Sequence, residues 1–241
     1  MNNSVHFRGN ALGYLYYMGY YAYMTERFDL QGLTYSGCSS GSYMASLFAL
    51  SLDPIDAITI PFQLQANQSH PLALIGNWKN RLKSCLSDFL PDELNYKDIT
   101  NLEIGVQYLG KFKLCKQFHS KEDLMECILS STHIPFLVNF KPFGKYRGQY
   151  CFDGELFPIY KIPEERLMID VRPRLKEKFT PKSISQIISM VEEGYEMAAH
   201  DRTLNSYFAQ RLIQDKSERS GSEFISKLSM RLTEVCENMP Y

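Results

Sequence analysis

The sequence predicts an α/β protein with a three-layer α/β/α arrangement, in which helices cover both faces of a mainly parallel sheet. Three observations favour this class. Segments with strand character alternate with helical segments along most of the chain, as in sheets joined by crossover helices. Of the 241 residues, 44% are hydrophobic, which is enough for one sizeable core. No repeat or low-complexity segment interrupts the pattern, so we expect a single domain over residues 1–241.

The predicted elements alternate in the following order. Short apolar or alternating runs bounded by turn residues predict the strands Val5–Arg8, Leu30–Ser36, Leu102–Tyr108, Phe112–Phe118, Gly148–Phe152 and Leu167–Val171. Longer apolar patterns predict the helices Leu12–Phe28, Ser40–Leu52, Pro54–Gln65, Pro71–Phe89 and Lys121–Ser131. From about residue 181 onward, Pro181–Asn238 predicts a helical C-terminal tail of two helices with a polar break around Ser217–Ser222.

Some of these helices carry additional local signals. Leu12–Phe28 is apolar on nearly all sides, so we expect its tyrosines to pack in the core. The pair Asp53-Pro54 ends the second helix, because proline disfavours helical backbone in the residue before it. Ser120, followed by Lys-Glu-Asp, resembles a capping box and predicts the start of the helix Lys121–Ser131.

Composition excludes several classes of function. The formal net charge is −1 and no basic stripe is present, so a nucleic-acid partner is not expected. The six cysteines form no C-x-x-C pair and no histidine pair has zinc-like spacing, which favours a reduced, cytoplasmic protein without a metal site. The apolar run Ala11–Met24 is too short to span a bilayer, and the N-terminus lacks the pattern of a signal peptide.

The stretch YSGCSSGS contains the pattern G-x-S-x-G, with Ser39 between Gly37 and Gly41. This pattern is typical of a nucleophile elbow, a sharp turn that exposes a serine between a strand and a helix. Glycines are needed at its ends because side chains there would collide with the flanking strand and helix. Cys38 and Ser40 complete the turn. The alternative is an ordinary strand–helix turn in which the serine caps the helix.

A serine nucleophile needs a base that takes its proton, and two schemes are open. In the first, Ser39 is followed by an acid, Asp153 or Asp170, and then by His200, which is the chain order of α/β-hydrolases. Only 38 residues precede Ser39, however, and that fold places several strands before its nucleophile. In the second scheme the carboxylate of Asp153 accepts the proton directly, and apolar neighbours such as Phe152 raise its pKa.

Three motifs together resemble the patatin-like phospholipase family. The segment FRGNALG at 7–13 precedes the G-x-S-x-G at Ser39, and Asp153-Gly154 follows more than a hundred residues later. The stretch SSTHIPF before Asp153 and the helix Lys121–Leu129 also look like that family. The sequence YYMG at 16–19 resembles its triglyceride-lipase branch. The resemblance covers about residues 4–160.

The resemblance implies a serine lipid acyl hydrolase that cleaves carboxylic esters of phospholipids or acylglycerols. Ser39 and Asp153 would form its catalytic dyad, and neither a metal nor an organic cofactor would be needed. The expected partner is a lipid substrate at a membrane or lipid-droplet surface, which the protein would visit without spanning the bilayer. The alternative is a catalytically impaired relative that acts as a lipid-surface or partner-binding module.

The resemblance also implies an oxyanion hole built from the backbone amides of Gly9, Asn10 and Ala11. The family usually has near-consecutive glycines there, whereas this chain has Gly9, Asn10, Ala11 and Gly13. Backbone donors do not depend on side-chain identity, and Gly9 and Asn10 can both adopt positive φ, so a working turn remains possible. The family's Asp-Gly-Gly or Asp-Gly-Ala reads Asp153-Gly154-Glu155 here, which alters the charge of the site.

For the other candidate residues we expect structural roles first. Cys38 beside the elbow serine is a conceivable nucleophile, and His133 is expected to be a buried structural histidine. A small basic cluster, Lys141, Lys145 and Arg147, lies among aromatic residues that include Phe140, Phe143 and Tyr146. We expect it to be a solvated loop, with contact to phospholipid headgroups as the alternative.

Overall fold

The chain is a mixed α/β protein with a mostly parallel central sheet flanked by helices. Its computed structural model describes residues 3–66, 76–156, 162–163, 165–172, 183–213 and 222–237. The strands are β1 (Ser4–Phe7), β2 (Thr34–Cys38), β3 (Leu102–Tyr108), β4 (Lys111–Cys115), β5 (Gly144–Tyr146), β6 (Gln149–Phe152) and β7 (Leu167–Ile169). The helices are α1 (Tyr14–Arg27), α2 (Ser40–Ala49), α3 (Pro54–Ala66), α4 (Trp78–Phe89), α5 (Lys121–Ser131), α6 (Ile184–His200), α7 (Arg202–Tyr207) and α8 (Ser222–Glu237).

The described strands form one sheet in the order β5-β6-β3-β2-β1-β7, with β4 also paired to β3. The central strands are parallel: β1 pairs with β2 and β7, and β2 pairs with β3. Strands β4, β5 and β6 add the antiparallel pairs. Phe7 lies opposite Gly37, so β1 and β2 end together. The segments that follow them therefore meet at the carboxyl edge of the sheet, where α/β proteins commonly place their ligand sites.

Helix α1 is buried on almost every side, as the sequence predicts, and its tyrosines belong to the core. One of them also fixes the segment after β1. The hydroxyl of Tyr17 lies 2.9 Å from the carbonyl oxygen of Arg8 and 3.2 Å from that of Ile169 at the end of β7. Helix α2 begins at the same edge and packs against β1, β2 and β3. The start of both helices is thus tied to the carboxyl ends of the central strands.

Element bounds agree with the sequence predictions where the pattern is long. β3 and α5 have the predicted bounds, and the side chain of Ser120 caps α5 by accepting the amide of Asp123. β2 begins at Thr34 rather than Leu30, because the chain first makes a turn in which Gly32 has φ 70°. It continues to Cys38, two residues beyond the predicted end.

Helix α2 ends at Ala49, three residues before its predicted end at Leu52, and short elements account for further differences. β5 has only three residues and was predicted as loop, since so short a strand carries no alternating pattern. The tail contains three described helices instead of two, because the side chain of Asp201 accepts the amides of Thr203 and Leu204 and so starts α7 directly after α6. Most of the predicted polar break, and the first residues of the predicted helix Pro71–Phe89, lie outside the described residues.

Membrane insertion and disulfides were both considered from the sequence. Within the described ranges, the helices lack the combination of length and apolar character that crossing a bilayer requires. All six cysteines are free thiols.

Candidate active site

Ser39 occupies a strained turn between β2 and α2. Its backbone has φ 53° and ψ −130°, a conformation that residues with a side chain rarely adopt and that is concentrated at functional sites. A Cβ on Gly37 would collide with the backbone of Gly41, and a Cβ on Gly41 would collide with the carbonyl group of Phe7. The motif requires both glycines for this steric reason. The side chain of Ser39 makes no capping bond to α2, so the interpretation as an ordinary helix cap is wrong.

The hydroxyl of Ser39 donates a hydrogen bond to Oδ2 of Asp153 over 2.6 Å. The two residues are 114 positions apart, and Asp153 arrives directly after β6. Its carboxylate is 3% exposed, and its second oxygen, Oδ1, accepts the backbone amide of Glu155 at 2.7 Å. The structure therefore brings together the two residues that the sequence predicts as nucleophile and base.

The pKa of Asp153 is raised from its ordinary value to about 7. Burial is the main cause, because a charged carboxylate loses hydration inside the protein. The negative charge of Glu155 raises it further, while the hydrogen bonds from Ser39 and from the amide of Glu155 lower it. A carboxylate with this pKa can accept a proton from a hydroxyl more readily than an exposed aspartate can.

This pKa predicts an acidic limit on activity. If Asp153 accepts the proton of Ser39, kcat/KM for an uncharged, water-soluble ester should fall as the pH drops through about 7, because the basic form of a carboxyl group is lost below its pKa. The measurement is a pH profile of kcat/KM, with circular dichroism showing that the protein stays folded across the range. An acidic limb near 4, the value of an exposed aspartate, would contradict the assignment.

The segment that ends α5 holds the two halves of the site together. The hydroxyl of Ser131 accepts the backbone amide of Ser39 at 2.9 Å and donates to the carbonyl oxygen of Gly105 at 2.6 Å. The carbonyl of Ser131 accepts the amide of Gly154 at 3.2 Å, and that of His133 accepts the amide of Asp153 at 2.8 Å. Ser131 is thus a positioning residue. In the sequence it lies within the stretch SSTHIPF, where no local pattern predicts this role.

Gly154 allows the aspartate to reach the elbow. A Cβ at this position would lie 2.7 Å from the carbonyl oxygen of Gly105 and 3.2 Å from Sγ of Cys38. Cys38 itself is fully buried, and burial raises the pKa of its thiol well above the ordinary value. A thiol in this state is a poor nucleophile, since thiolate is the reactive form. The thiol of Cys38 is therefore part of the packing, and the hydroxyl of Ser39 is the group that contacts the carboxylate of Asp153.

The segment after β1 lies against the nucleophile, but two of its amides already have acceptors. The amide of Asn10 donates to Oγ of Ser40 at 2.9 Å, and that hydroxyl donates to Oδ1 of Asn10 at 2.9 Å. The amide of Gly9 donates to Oε1 of Glu155 at 3.1 Å. Positive φ occurs at Ala11, with 53°, and not at Gly9 or Asn10 as the sequence analysis considered.

Glu155 packs against the segment that lies beside the serine. A Cβ on Gly9 would lie 2.6 Å from Cβ of Ser39 and 2.7 Å from Cγ of Glu155, so Gly9 is in close contact with both residues. The other carboxylate oxygen of Glu155 pairs with Arg8 at 2.9 Å, and Arg8 also contacts Asp170 at 3.3 Å. The carboxylate of Glu155 thus accepts the hydrogen bond that the amide of Gly9 would donate to an oxyanion. The sequence indicates the added charge of this glutamate, whereas only the structure shows its position.

The described histidines lie away from the serine hydroxyl. The side chain of His200 is 82% exposed, and its Nδ1 lies 2.8 Å from the carbonyl oxygen of Glu196 in its own helix. His133 is buried, as expected, with Nε2 3.3 Å from the carbonyl oxygen of Lys141. Among the residues that the structure describes, no imidazole lies within hydrogen-bond distance of Ser39, so the triad with His200 is not formed.

One group of described residues has ligand types that a metal ion could use. A ring nitrogen of His6, Sγ of Cys38 and a carboxylate oxygen of Glu155 lie within 4.8 Å of one another. Zinc binds thiolate, imidazole and carboxylate ligands. Here Nδ1 of His6 bonds to Ser36 at 2.8 Å, Nε2 of the same ring faces Sγ of Cys38 at 4.0 Å, and both oxygens of Glu155 have partners. These contacts give each of the three side chains a partner within the protein.

Comparison with known proteins adds no family to these observations. No protein-family model matches the chain, and no curated protein matches its sequence. The resemblance to patatin-like phospholipases therefore remains a hypothesis based on the motifs, and the function has to be inferred from the geometry of the site.

Proposed function

We propose that the protein is a serine acyl hydrolase of the patatin-like kind, acting on carboxylic esters of phospholipids or acylglycerols. One observation carries this proposal: the hydroxyl of Ser39, on a strained glycine-flanked turn, donates to the buried carboxylate of Asp153 over 2.6 Å. The mixed α/β fold is compatible with the three-layer arrangement of that family. A lipid at a membrane or droplet surface is the substrate that the resemblance implies.

The reaction follows from the two side chains. As Oγ of Ser39 attacks the ester carbonyl, its proton moves to Oδ2 of Asp153 and the carbonyl oxygen becomes an oxyanion. The proton then passes to the leaving alcohol, and the acyl group stays on Ser39 as an ester. Water attacks this acyl-enzyme, gives a proton to Asp153, and releases the fatty acid as that proton returns to Oγ. The N-terminus of α2 directly after the serine favours the negative charge that develops.

A direct test uses the purified chain and two lipid classes. Fatty acid release is measured from dispersed phospholipid and from dispersed triacylglycerol, before and after treatment with a fluorophosphonate that reacts with activated serines. The proposal predicts release from at least one class and its loss after treatment. Release that continues unchanged after treatment would contradict a serine mechanism, and no release from either class by folded protein would contradict the proposed activity.

The second candidate function is a lipid-surface or partner-binding module without catalysis. The specific observation in its favour is the occupied oxyanion segment, because Gly9 and Asn10 already donate to Glu155 and Ser40. In the hydrolase, the substrate oxyanion has to displace the carboxylate of Glu155 from the amide of Gly9. The two functions therefore differ in what removal of this carboxylate does.

For the hydrolase, Glu155→Ala should raise kcat/KM for a soluble ester by about 10- to 100-fold. A hydrogen bond to a charged acceptor contributes about 1.5–3 kcal/mol, and each 1.36 kcal/mol is a factor of ten in rate. The amide at position 155 can still donate to Asp153. The acidic limb of the pH profile should also shift to lower pH, because the negative charge of Glu155 raises the pKa of Asp153 in the wild type.

Asp170→Asn is the matched control for this variant. Asp170 also accepts from Arg8 but makes no bond to the amide of Gly9, so its substitution should leave kcat/KM close to the wild-type value. Equal rates for Glu155→Ala and the wild type would mean that Glu155 does not restrict the site. Absence of ester hydrolysis in both proteins would instead favour the binding module.

A further inference from the structure

Residues 134–150 differ in composition from the rest of the chain. The segment contains no acidic residue, although the whole chain has a formal net charge of −1. Its basic residues are interleaved with aromatic ones, namely Phe136, Phe140, Phe143, Tyr146 and Tyr150. Arg147 is held internally by Asp123 and by the carbonyl oxygen of Gln117. Lys141 and Lys145 are exposed and pair with no carboxylate in the part of the chain that the structure describes.

The aromatic side chains of this segment are exposed to an unusual degree. Phe140 is 69% exposed, Phe136 62% and Tyr150 56%. The rings of Phe143 and Tyr150 contact each other with centroids 5.8 Å apart, so the exposed groups are not isolated. Exposed apolar patches rimmed by polar residues commonly mark interaction surfaces. We refer to residues 136–143 as the aromatic turn.

The backbone of the aromatic turn is also unfavourable. Phe136 has φ 64° and Phe140 has φ 56°, both in the left-handed region that bulky residues avoid. The amide of Phe136 donates to the carbonyl oxygen of Lys141 at 2.9 Å, which closes the turn. The ring of Phe140 lies against Gly76, but among the described residues both rings remain mostly exposed, so their burial does not offset this strain. The conformation presents them outward, as an external partner would require.

The aromatic turn is coupled to the candidate active site through one histidine. The carbonyl of His133 accepts the amide of Asp153 at 2.8 Å, and its ring lies 3.3 Å from the same carbonyl oxygen of Lys141 that closes the turn. Burial lowers the pKa of His133, so the neutral ring donates from Nε2. The exposed surface is therefore built on the residue that positions the dyad carboxylate.

From this placement we infer that the aromatic turn docks the protein on an anionic phospholipid bilayer. Phe136 and Phe140 enter the boundary of the acyl chains, and Lys141 and Lys145 lie at the headgroups. Aromatic insertion combined with cations is the pattern of peripheral membrane anchors. Charge complementarity favours anionic lipid over neutral lipid. The choice of a bilayer as the partner rests on the proposed acyl hydrolase function, because the substrates of that function are lipid esters.

The test is sedimentation with vesicles, using the Ser39→Ala protein so that no lipid is consumed. Phosphatidylcholine vesicles with phosphatidylserine are compared with vesicles of phosphatidylcholine alone. Phe136→Ala/Phe140→Ala should lower partitioning onto the anionic vesicles by about 10- to 100-fold. Lys141→Gln/Lys145→Gln should lower it by about 30-fold and leave binding to neutral vesicles unchanged. Thermal melts show whether each variant is folded.

The chain offers matched controls for both substitutions. Met197→Ala/Met230→Ala removes two exposed apolar side chains from α6 and α8, and Lys97→Gln/Lys111→Gln removes two exposed cations elsewhere. Both should bind anionic vesicles like the parent. The inference would be overturned if the parent protein did not bind anionic vesicles. It would also be overturned if the aromatic-turn variants bound them as well as the controls do. Either result would point to a protein partner for this surface.

The surface and the hydrolase can fail separately. Hydrolysis of a water-soluble ester is measured with the same aromatic-turn substitutions in protein that keeps Ser39. Ester hydrolysis without vesicle binding would overturn the docking surface and leave the proposed function intact. Vesicle binding that needs Phe136 and Phe140, in a protein that hydrolyses no ester, would support the docking surface while overturning the hydrolase.

Discussion

Ser39→Ala is expected to lower ester hydrolysis on the order of 10⁴- to 10⁶-fold, which is the largest effect that we predict. In the proposed mechanism the substitution removes the hydroxyl that forms the acyl-enzyme, and the buried thiol of Cys38 cannot take over its role. Initial rates of fatty acid release, with a soluble ester as second substrate, measure the loss. Binding of lipid vesicles should persist, since the exposed aromatic side chains are unchanged.

Ser87→Ala is a suitable control, because this serine is exposed on α4 and its substitution leaves the site untouched. It should hydrolyse esters at the wild-type rate. Residual activity of Ser39→Ala within a few fold of the wild type would show that another group carries the chemistry, and the account of the elbow would then be wrong.

Asp153→Asn should lower kcat/KM by about 10²- to 10⁴-fold, the usual contribution of a general base. The asparagine side chain has nearly the same shape and can still accept the amide of Glu155, but it cannot take a proton from Ser39. The remaining activity should lose its acidic limb near pH 7, because the group that titrates there is gone. A pH profile of the variant measures both effects.

Stability provides an independent check on this variant. The folded-state pKa of Asp153 is raised, so its charged form is unfavourable in the fold, and this penalty grows as the pH rises from the unfolded value through about 7. Above that pH the neutral asparagine should therefore melt at the same temperature as the wild type or higher. Loss of activity accompanied by a lower melting temperature would indicate damage to the fold. Full activity in Asp153→Asn together with a large loss in His200→Ala would restore the triad scheme.

The elbow and its distant carboxylate could be predicted because steric rules restrict them. Gly37 and Gly41 face backbone atoms, which no side chain could tolerate, so the pattern itself reports the turn. Asp153-Gly154 is a weaker signal, since such pairs are common in turns. Asp153-Gly154 indicates a catalytic site only in combination with the motif at Ser39. In the structure Gly154 packs beside Cys38 of that motif.

Other features of the site depend on side-chain positions that no local pattern encodes. Ser131 joins the elbow to the aspartate through long-range hydrogen bonds, and a single serine at a helix end has many alternative roles. At Glu155 the chain differs from the family that it resembles, but only the fold shows that this carboxylate accepts the amide of Gly9. The exposure of Phe136 and Phe140 could likewise not be predicted, because composition alone does not distinguish an exposed aromatic ring from a buried one.

We expect Ser39 to be a nucleophile that the carboxylate of Asp153 activates. Folded protein is incubated with a fluorophosphonate, and mass spectrometry of the intact chain and of its peptides locates the adduct. The account predicts a single adduct on the peptide that contains Ser39, present in Ser87→Ala, slowed strongly in Asp153→Asn and absent in Ser39→Ala. Folded wild-type protein that forms no adduct, or forms it at another residue, would contradict the account.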